Sequence, residues 1–248
     1  MSRSKRSEPP FLRFDRLTGD PRLTHFFTVR SNPYDLIDPG ERQAFLHTFY
    51  GGNYEIVVPR QVHGDQIAVV SGPLVSAPEA DALVTAWPGL FIGILVADCF
   101  PILLFDPHHL VLAVVHAGWR GVAANIQGKT VEFLRTRFAS QPSGITAVIG
   151  PGIGPCCFQV GEEVVHIFHK HGGFQADWLV KREGKFFLNL RFVIVTDLIR
   201  QGVPAESIET VLLCTACRRD LFHSYRRDGP GAGRMLLGAA LCPDVPLP

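Results

Sequence analysis

The chain has 248 residues, with 24 Lys and Arg against 23 Asp and Glu, and 46% of its residues are hydrophobic. A chain of this length can bury about 75% of the surface that its unfolded form exposes, so it needs no disulfide or metal to form a core. The near-neutral charge provides no overall field for attracting nucleic acid or anionic lipid, and the longest apolar runs fall short of the ~20 residues that span a bilayer, so we expect neither a nucleic-acid nor a membrane partner.

The two ends of the chain differ in composition from its middle. The first ten residues, MSRSKRSEPP, lack the apolar stretch and cleavage site of a secretory signal, which predicts a cytoplasmic location. Six cysteines are too few for a disulfide scaffold, and in that compartment we expect them as thiols. Evenly spread turn residues indicate a single domain over residues 21–242, with a flexible segment at 1–20 and a loose tail at 243–248.

Short apolar or β-branched runs bounded by Gly, Pro or Asp predict strands in the first half of the chain. They lie at 55–58, 66–70, 82–85, 90–97, 102–105 and 110–116. Farther along, helical periodicity predicts helices over 122–138, after Gly161 and over 191–201, with a strand at 145–149 and a buried strand at 208–214. An order in which strands cluster in the first half and helices follow later favours an α+β fold. We expect a single domain of mixed β-sheets flanked by helices in a layered sandwich.

Three strand-like segments carry a reactive side chain at or just beyond the strand's end: His63, Cys99 and His116. Their separations match no local zinc-finger spacing, so a site made from them must be assembled by the fold. One thiolate and two imidazoles suit Zn²⁺, and three protein ligands leave a fourth position for water, as in catalytic zinc sites. A buried cysteine with two hydrogen-bonded histidines is the alternative, and the residues alone leave both open.

Six ordered blocks of the sequence are similar to those of a known family. They are QVHGDQI, ADALVT, ADCFPILLFDP, VVHAGWRG, IGPGIGPCCFQVG and CTACRRDLFHSYRRDGPGAGR, and they span roughly residues 55 to 238. The chain resembles the YfiH-like family, also called the multicopper polyphenol oxidoreductase or laccase-domain family, peptidoglycan editing factor or purine nucleoside phosphorylase. The resemblance implies a cytoplasmic, zinc-binding α+β domain that phosphorolyses adenosine, inosine and methylthioadenosine and deaminates adenosine. It places the metal ligands, which are also the catalytic residues, on His63, Cys99 and His116.

Two segments depart from the family's pattern. FFTVRSNPYDLIDPGERQAF stands where the family has a longer, glycine-containing block, and if that block shapes the nucleoside pocket the substrate preference is affected. Asn189, in LNLRF, occupies a position that often carries a carboxylate, so we assign it no catalytic role.

Phosphorolysis also requires cations for phosphate, and the forked guanidinium of arginine suits that anion. Arg60, near the first ligand histidine, and Arg226 and Arg227, beside a glycine, are the candidates, with surface or carboxylate-paired arginines as an equal alternative. Asp81 and Asp98 could each orient a ligand histidine. The alternative for each is a turn or helix-capping role.

Other reactive side chains have simpler explanations. Cys214 and Cys217 have CxxC spacing, but no thioredoxin pattern surrounds them and one such pair cannot complete a four-cysteine zinc site. The adjacent Cys156 and Cys157 lie in a Gly/Pro turn and are interpreted as packing residues. Tyr225 could stack on a base, although a buried tyrosine with a satisfied hydroxyl is the commoner case.

The leading hypothesis is a zinc-dependent purine nucleoside phosphorylase and adenosine deaminase, with a nucleoside and phosphate as its partners, acting as a monomer or homodimer. A hydrolase that uses Cys99 as nucleophile and His116 as base, for example on a cell-wall (peptidoglycan) precursor, is the alternative. The family name also suggests a copper polyphenol oxidase, but the chain lacks the histidine clusters that multicopper centres need, apart from one isolated His-x-His pair. Outside enzymology, zinc could simply hold the strands of a binding module together.

Overall fold

The computed structural model describes residues 9–51, 54–73, 76–172 and 175–243. The strands of its first half are β1 (Phe11–Leu12), β2 (Leu23–Thr28), β3 (Glu55–Val57), β4 (Ile67–Val69), β5 (Ala82–Thr85), β6 (Leu90–Val96), β7 (Phe100–Asp106) and β8 (Val111–Ala117). Those of the second half are β9 (Thr146–Ile149), β10 (Gln159–Val160), β11 (Leu179–Arg182), β12 (Lys185–Leu188), β13 (Ile208–Thr210) and β14 (Met235–Leu241). The α-helices are α1 (Pro39–Tyr50), α2 (Trp119–Ala123), α3 (Ile126–Phe138), α4 (Glu162–Lys170), α5 (Leu190–Arg200) and α6 (Tyr225–Asp228).

A six-stranded sheet in the order β13-β9-β7-β8-β5-β4 forms the centre of the fold. Its middle pair, β7 and β8, is an antiparallel hairpin. The hairpin turns at this point because the Asp106 carboxylate accepts the backbone N–H of His108 at 2.8 Å, a local bond that favours a turn over further strand. Strand β5 then pairs antiparallel with β8, and its Ala82 lies opposite Val115.

Two sheets and two layers of helix stack on one another. Along β7, Leu103 and Phe105 pack between the central sheet and a five-stranded sheet of order β1-β2-β14-β6-β3. The alternate residues Ile102 and Leu104 pack on the other side, with residues of α3 and α5, as the two-residue period of a strand requires. Helix α1 covers the outer face of the five-stranded sheet, where Phe45 meets Phe26 with ring centroids 4.9 Å apart. This arrangement confirms the predicted α+β fold with mixed sheets flanked by helices.

The strand predictions of the first half agree with β3 to β8 within two residues at each end. The helix predicted over 122–138 is two helices, α2 and α3, because Asn125 adopts a left-handed backbone (φ 61°) that ends one helix and caps the next. Strand β13 ends at Thr210 and is half-buried. The prediction of a buried strand reaching residue 214 is therefore wrong, because this strand lies at the edge of the sheet.

The fold begins before residue 21. Strand β1 pairs with β2, Phe11 lying opposite Thr28, and the side chains of Phe14 and Leu17 are buried in the core between the sheets. These contacts correct the prediction of a flexible segment over 1–20 for residues 11–17. Residues 1–8, and all but the first residue of the predicted tail at 243–248, lie outside the described residues. Within the described ranges, no helix has the length and apolar character needed to cross a membrane.

Candidate active site

The fold brings His63, Cys99 and His116 together at one end of the middle strands of the six-stranded sheet, and we call these three residues the trio. One ligand atom from each lies within 4.8 Å of the others. Cys99 immediately precedes β7 and His116 lies near the end of β8. In this antiparallel pair Pro101 opposes His116, so the register places both residues at the same end of the two strands. His63 lies in the connection between β3 and β4, and its ring meets that of His116 edge to face with centroids 4.7 Å apart.

Asp81 holds two members of the trio in place. It immediately precedes β5 and so lies beside His116 across the sheet, where its Oδ1 accepts a hydrogen bond from Nδ1 of His116 at 2.7 Å. The same carboxylate accepts the backbone N–H groups of Val62, His63 and Gly64 at 2.7–3.2 Å. Because Nδ1 of His116 is engaged, its Nε2 is the nitrogen left for an ion or a proton transfer.

The trio favours charge separation when no metal is bound. Burial opposes ionisation of the Cys99 thiol, but the charge of His116 and hydrogen bonds from His116 and His63 outweigh it and lower the pKa of Cys99. For His116, burial is outweighed by the negative charge of Cys99 and the hydrogen bond to Asp81, so the pKa of His116 is raised. Both shifts favour a thiolate beside an imidazolium, and a thiolate is the form in which cysteine binds metals or attacks electrophiles.

The backbone around the trio is closely packed. His63 has a φ of 61°, a left-handed conformation that is held by the bond from its N–H to Asp81. A Cβ atom at Gly118 would lie 3.1 Å from Sγ of Cys99 and 3.3 Å from Cδ2 of His63. A side chain at this position would therefore crowd two of the three ligands.

A cavity of about 680 Å³ opens beside the trio, within the size range of small-molecule sites. Besides the trio, its wall contains three aromatic rings and three cationic side chains: Trp119, Phe158, Tyr225, Arg120, Arg226 and Arg234. Tyr225 is 52% exposed, so the expectation of a buried tyrosine is wrong.

One of the three predicted phosphate-binding arginines lines the cavity. Arg226 does, with its Nη1 donating to the carbonyl oxygens of Cys157 and Gln159 at 3.1 Å each. Arg60 instead forms an ion pair with Glu79. The backbones of these two residues also pair in an isolated parallel β-bridge. Arg60 is close to His63 in sequence, but its side chain is directed toward Glu79 and not toward the cavity.

Arg227 is the third of these arginines, and it does not line the cavity either. It pairs with Asp228 at 2.6 Å and donates to the carbonyl oxygens of Thr215 and Phe222, so its guanidinium supports the loop. Sequence reasoning missed two cations of the cavity, Arg120 and Arg234. The position of Arg120 inside the block VVHAGWRG was an available signal.

Asp98 has a different role from Asp81. Its φ is 85°, and its carboxylate accepts hydrogen bonds from Thr215 Oγ1 at 2.6 Å, Ser224 Oγ at 3.1 Å and the N–H of Arg226 at 2.7 Å. Within the described residues, none of these bonds goes to a ligand histidine, which corrects the prediction that Asp98 orients one. Asp98 instead joins the start of β7 to the loop that carries Arg226.

The two departures from the family's pattern lie away from the cavity. None of residues 26–45, all of which the structure describes, lines its wall. Asn189 caps α5, its side chain accepting the backbone N–H of Phe192 at 3.4 Å. A capping role explains an asparagine there without any part in chemistry.

Comparison with known proteins gives agreement over most of the chain. Residues 40–242 match the sequence model of the family described as multi-copper polyphenol oxidoreductase laccase. A purine nucleoside phosphorylase of Bacteroides thetaiotaomicron is 30% identical, with 92% of this chain and 94% of that protein aligned. Adenosine deaminase RL5, from an unknown prokaryotic organism, is 37% identical over 74% of each chain. The crystal structure of the hypothetical protein YfiH of Bacillus licheniformis superposes with a TM-score of 0.85 at 28% identity, covering 95% of this chain and 97% of that one.

Proposed function

The chain belongs to the multi-copper polyphenol oxidoreductase laccase family, the YfiH-like family whose blocks it carries, and from that premise we propose that it is a zinc-dependent purine nucleoside enzyme. Its reactions are the phosphorolysis of adenosine, inosine or methylthioadenosine to the base and the corresponding sugar 1-phosphate, and the hydrolytic deamination of adenosine. Relatives that carry the names of both activities support the pairing. The observation that carries the proposal is the trio in the wall of a cavity that also presents cations and aromatic rings.

The donor set of the trio fits zinc. Two imidazoles and one thiolate within 4.8 Å of one another would occupy three positions of a tetrahedral ion, and the cavity lies on the open side. When bound, zinc supplies Lewis-acid chemistry that makes hydroxide available near neutral pH. Multicopper oxidase chemistry needs several histidine-rich centres, and within the described residues the trio is the single group that combines histidine with cysteine.

The aromatic and acidic side chains of the site would bind and orient the nucleoside. Trp119, Phe158 and Tyr225 offer flat apolar surfaces on which a purine stacks. Asp81 keeps the proton of His116 on Nδ1 and fixes the ring, so that Nε2 faces the other two ligands throughout turnover. Fixing these groups before the substrate arrives lowers the cost of reaching the transition state.

The cationic part of the wall would hold phosphate for attack on the ribose carbon. Arg226 is positioned from both ends, with its backbone N–H bonded to Asp98 and its Nη1 to two carbonyl oxygens. Arg120, whose guanidinium lies 4.3 Å from the centre of the Trp119 ring, and Arg234 add positive charge to the same wall. Because Arg226 also lies over the Phe158 ring, at 5.4 Å from its centre, phosphate and the base would bind side by side in one cavity.

A second candidate function rests on a specific geometry. Asp81, His116 and Cys99 form a carboxylate–imidazole–thiolate series like that of cysteine hydrolases, and the pKa of Cys99 is lowered. Such a hydrolase would act without metal, for example on a cell-wall precursor. This hydrolase should keep its activity when metal is removed by a chelator, whereas the zinc enzyme should lose it.

The test is chromatography of adenosine incubated with the zinc-loaded chain, with and without phosphate, beside the metal-free chain and a Cys99→Ala variant. We expect adenine with ribose 1-phosphate when phosphate is present, inosine in either case, and no product from the metal-free chain or the variant. A zinc-loaded chain that forms neither adenine nor inosine contradicts the proposal.

Chelation and alkylation separate the two candidates. Activity that is lost on chelation and restored by zinc supports the zinc enzyme. Hydrolysis of a cell-wall precursor that survives chelation and is stopped by alkylation of Cys99 supports the hydrolase instead. Peptide mapping of the alkylated protein establishes that Cys99 is the modified residue, because the exposed Cys156 and Cys217 can react as well.

A further inference from the structure

A second group of metal-ligating side chains lies outside the trio. We call it the quartet: Cys156, Cys157, Cys214 and Cys217. The four sulfur atoms lie within 4.8 Å of one another, and Sγ of Cys217 is 3.5 Å from Sγ of Cys156 and 3.4 Å from Sγ of Cys157. All four are free thiols.

The fold joins the two halves of the quartet through the central sheet. Strands β9 and β13 run parallel, and their pairing continues beyond the strands as a bridge between Gly152 and Cys214. After that bridge the first segment turns back on itself, with the N–H of Cys157 donating to the carbonyl of Gly154 at 3.0 Å, so that both adjacent cysteines face the CxxC turn. The second segment closes a turn from Arg218 N–H to the carbonyl of Cys214, also at 3.0 Å.

Two sulfur separations in the quartet are close to those of a tetrahedral zinc site. With Zn–S bonds of about 2.3 Å, the sulfurs of a four-thiolate site stand about 3.8 Å apart, close to the separations seen around Cys217. Cys217 is nearly equidistant from two partners, which suits a shared centre better than a single sulfur pair.

The surroundings favour a thiolate at Cys214, whereas burial raises the pKa of the Cys156 and Cys157 thiols. The backbone N–H of Gly154 donates to Sγ of Cys214 at 3.2 Å, and such bonds stabilise negatively charged sulfur. Arg182 and Arg226 donate to carbonyl oxygens of the 155–157 turn, and Arg191 donates to the carbonyl oxygen of Leu213, next to Cys214. A zinc ion with four thiolates carries net negative charge, which these cations would offset.

We propose that the quartet is a structural zinc site, separate from the trio. Binding displaces the thiol protons and completes the coordination shell with protein sulfur, so no position is left for substrate. The site would clamp the turn at 154–158 to the turn at 214–217. Both turns reach the cavity: Phe158 lines it, Thr215 bonds to Asp98, and the carbonyl of Cys157 holds Arg226.

The test uses a chain in which the trio is disabled but the quartet is intact. A Cys99→Ser variant, purified under reducing conditions, loaded with zinc and desalted, is analysed for metal by mass spectrometry. We expect about one zinc ion per chain, lost when Cys156→Ser and Cys217→Ser are added and kept when Cys242→Ser is added instead. Circular dichroism of the variants establishes that they fold.

Cobalt provides a measurement that leaves the quartet unaltered. Co²⁺ added to the Cys99→Ser chain should give the strong thiolate-to-metal absorption and tetrahedral visible bands of a four-sulfur site. Absence of zinc and of these bands in that chain overturns the proposal. A disulfide within the quartet, found by peptide mapping of protein purified without oxygen, overturns it as well, because the thiols would then be unable to close around an ion.

Discussion

The trio and the quartet both place cysteine sulfur beside other ligand atoms, yet they differ in what surrounds the sulfur. The trio mixes one thiol with two imidazoles, lies at the ends of hydrogen-bonded strands and borders a cavity. The quartet has four thiols and lies between two turns. Cysteine is present in both groups. The difference is that the three ligands of the trio leave a position open to substrate, whereas the four thiols of the quartet would close the coordination shell with protein.

The two regions also differ in what fixes them. In the trio, strand register sets the positions of Cys99 and His116, and Asp81 orients the ring, so the geometry is present before any ion binds. In the quartet, the two turns are joined by the bridge between Gly152 and Cys214 and by the bond from the N–H of Gly154 to Sγ of Cys214, and not by pairing along strands. We therefore expect metal to add reactivity at the trio and rigidity at the quartet.

The largest effect should follow from breaking the trio. Cys99→Ser should reduce adenosine turnover by about a thousandfold or more, because several kcal/mol of transition-state stabilisation by the metal are lost. Steady-state rates and the melting temperature, measured with Cys242→Ser as the matched control, check this. Retention of most of the activity in Cys99→Ser would show that the trio is not the reacting site.

A smaller effect should follow from removing the support of the trio while keeping its ligands. Asp81→Asn should weaken zinc binding or activity by about 10–100-fold, the usual cost of losing the carboxylate that orients a ligand histidine. Asp106→Asn is the control, since Asp106 is also buried and bonds a histidine, at 2.7 Å, but that histidine is His109 and not a member of the trio. Equal losses in both variants would indicate a general effect on folding.

Breaking the quartet should affect stability more than chemistry. In the zinc-loaded chain, Cys217→Ser should lower the melting temperature by about 2–4 °C for each kcal/mol of unfolding free energy that is lost. The kcat should stay within about tenfold of that of the unsubstituted chain. The KM for phosphate should rise more than that for adenosine, because the turn of Cys157 holds Arg226. A loss of kcat as large as that of Cys99→Ser would place the quartet in the reaction itself.

The contrast between the regions also explains what could be predicted from the sequence. The strand that follows Cys99 and the strand that contains His116 were predicted closely, because their apolar runs are bounded by turn residues. The resemblance to a family also singled out His63 with these two residues, and the fold brings all three together. Residues farther from the motifs were harder. The side-chain directions of Arg60 and Arg227 depend on which carboxylate each meets, which no local pattern records.

The quartet was not predicted at all. Its halves are 60 residues apart along the chain, as for Cys157 and Cys217, and each half alone has an ordinary explanation. Their contact depends on the parallel pairing of β9 with β13, a short edge strand whose extent was itself predicted wrongly. Long-range pairing of short strands is the step that local periodicity cannot supply.

The smallest predicted effect comes from a histidine–aspartate pair that resembles the one in the trio but faces no metal site. Nε2 of His171 bonds Asp197 at 2.9 Å, and its Nδ1 faces the carbonyl oxygen of Ala123 at 3.3 Å. Both neighbours are acceptors, so both ring nitrogens donate only when the ring is protonated. His116, by contrast, keeps one nitrogen directed at the ligands of the trio.

The bond to Asp197 raises the pKa of His171 above 6.5, against the opposing effect of burial. Because the folded-state pKa is the higher one, the pair contributes its full stability below the unfolded pKa and loses it as pH rises through the folded one. His171→Gln should therefore cost about 1.5 kcal/mol at about pH 6 and clearly less at about pH 9, with turnover unchanged. Denaturant unfolding of both proteins at the two pH values isolates this difference, since every other titrating group is common to them. A cost that is independent of pH would mean that His171 is neutral in the folded chain, and that a buried aspartate alone does not keep a histidine protonated here.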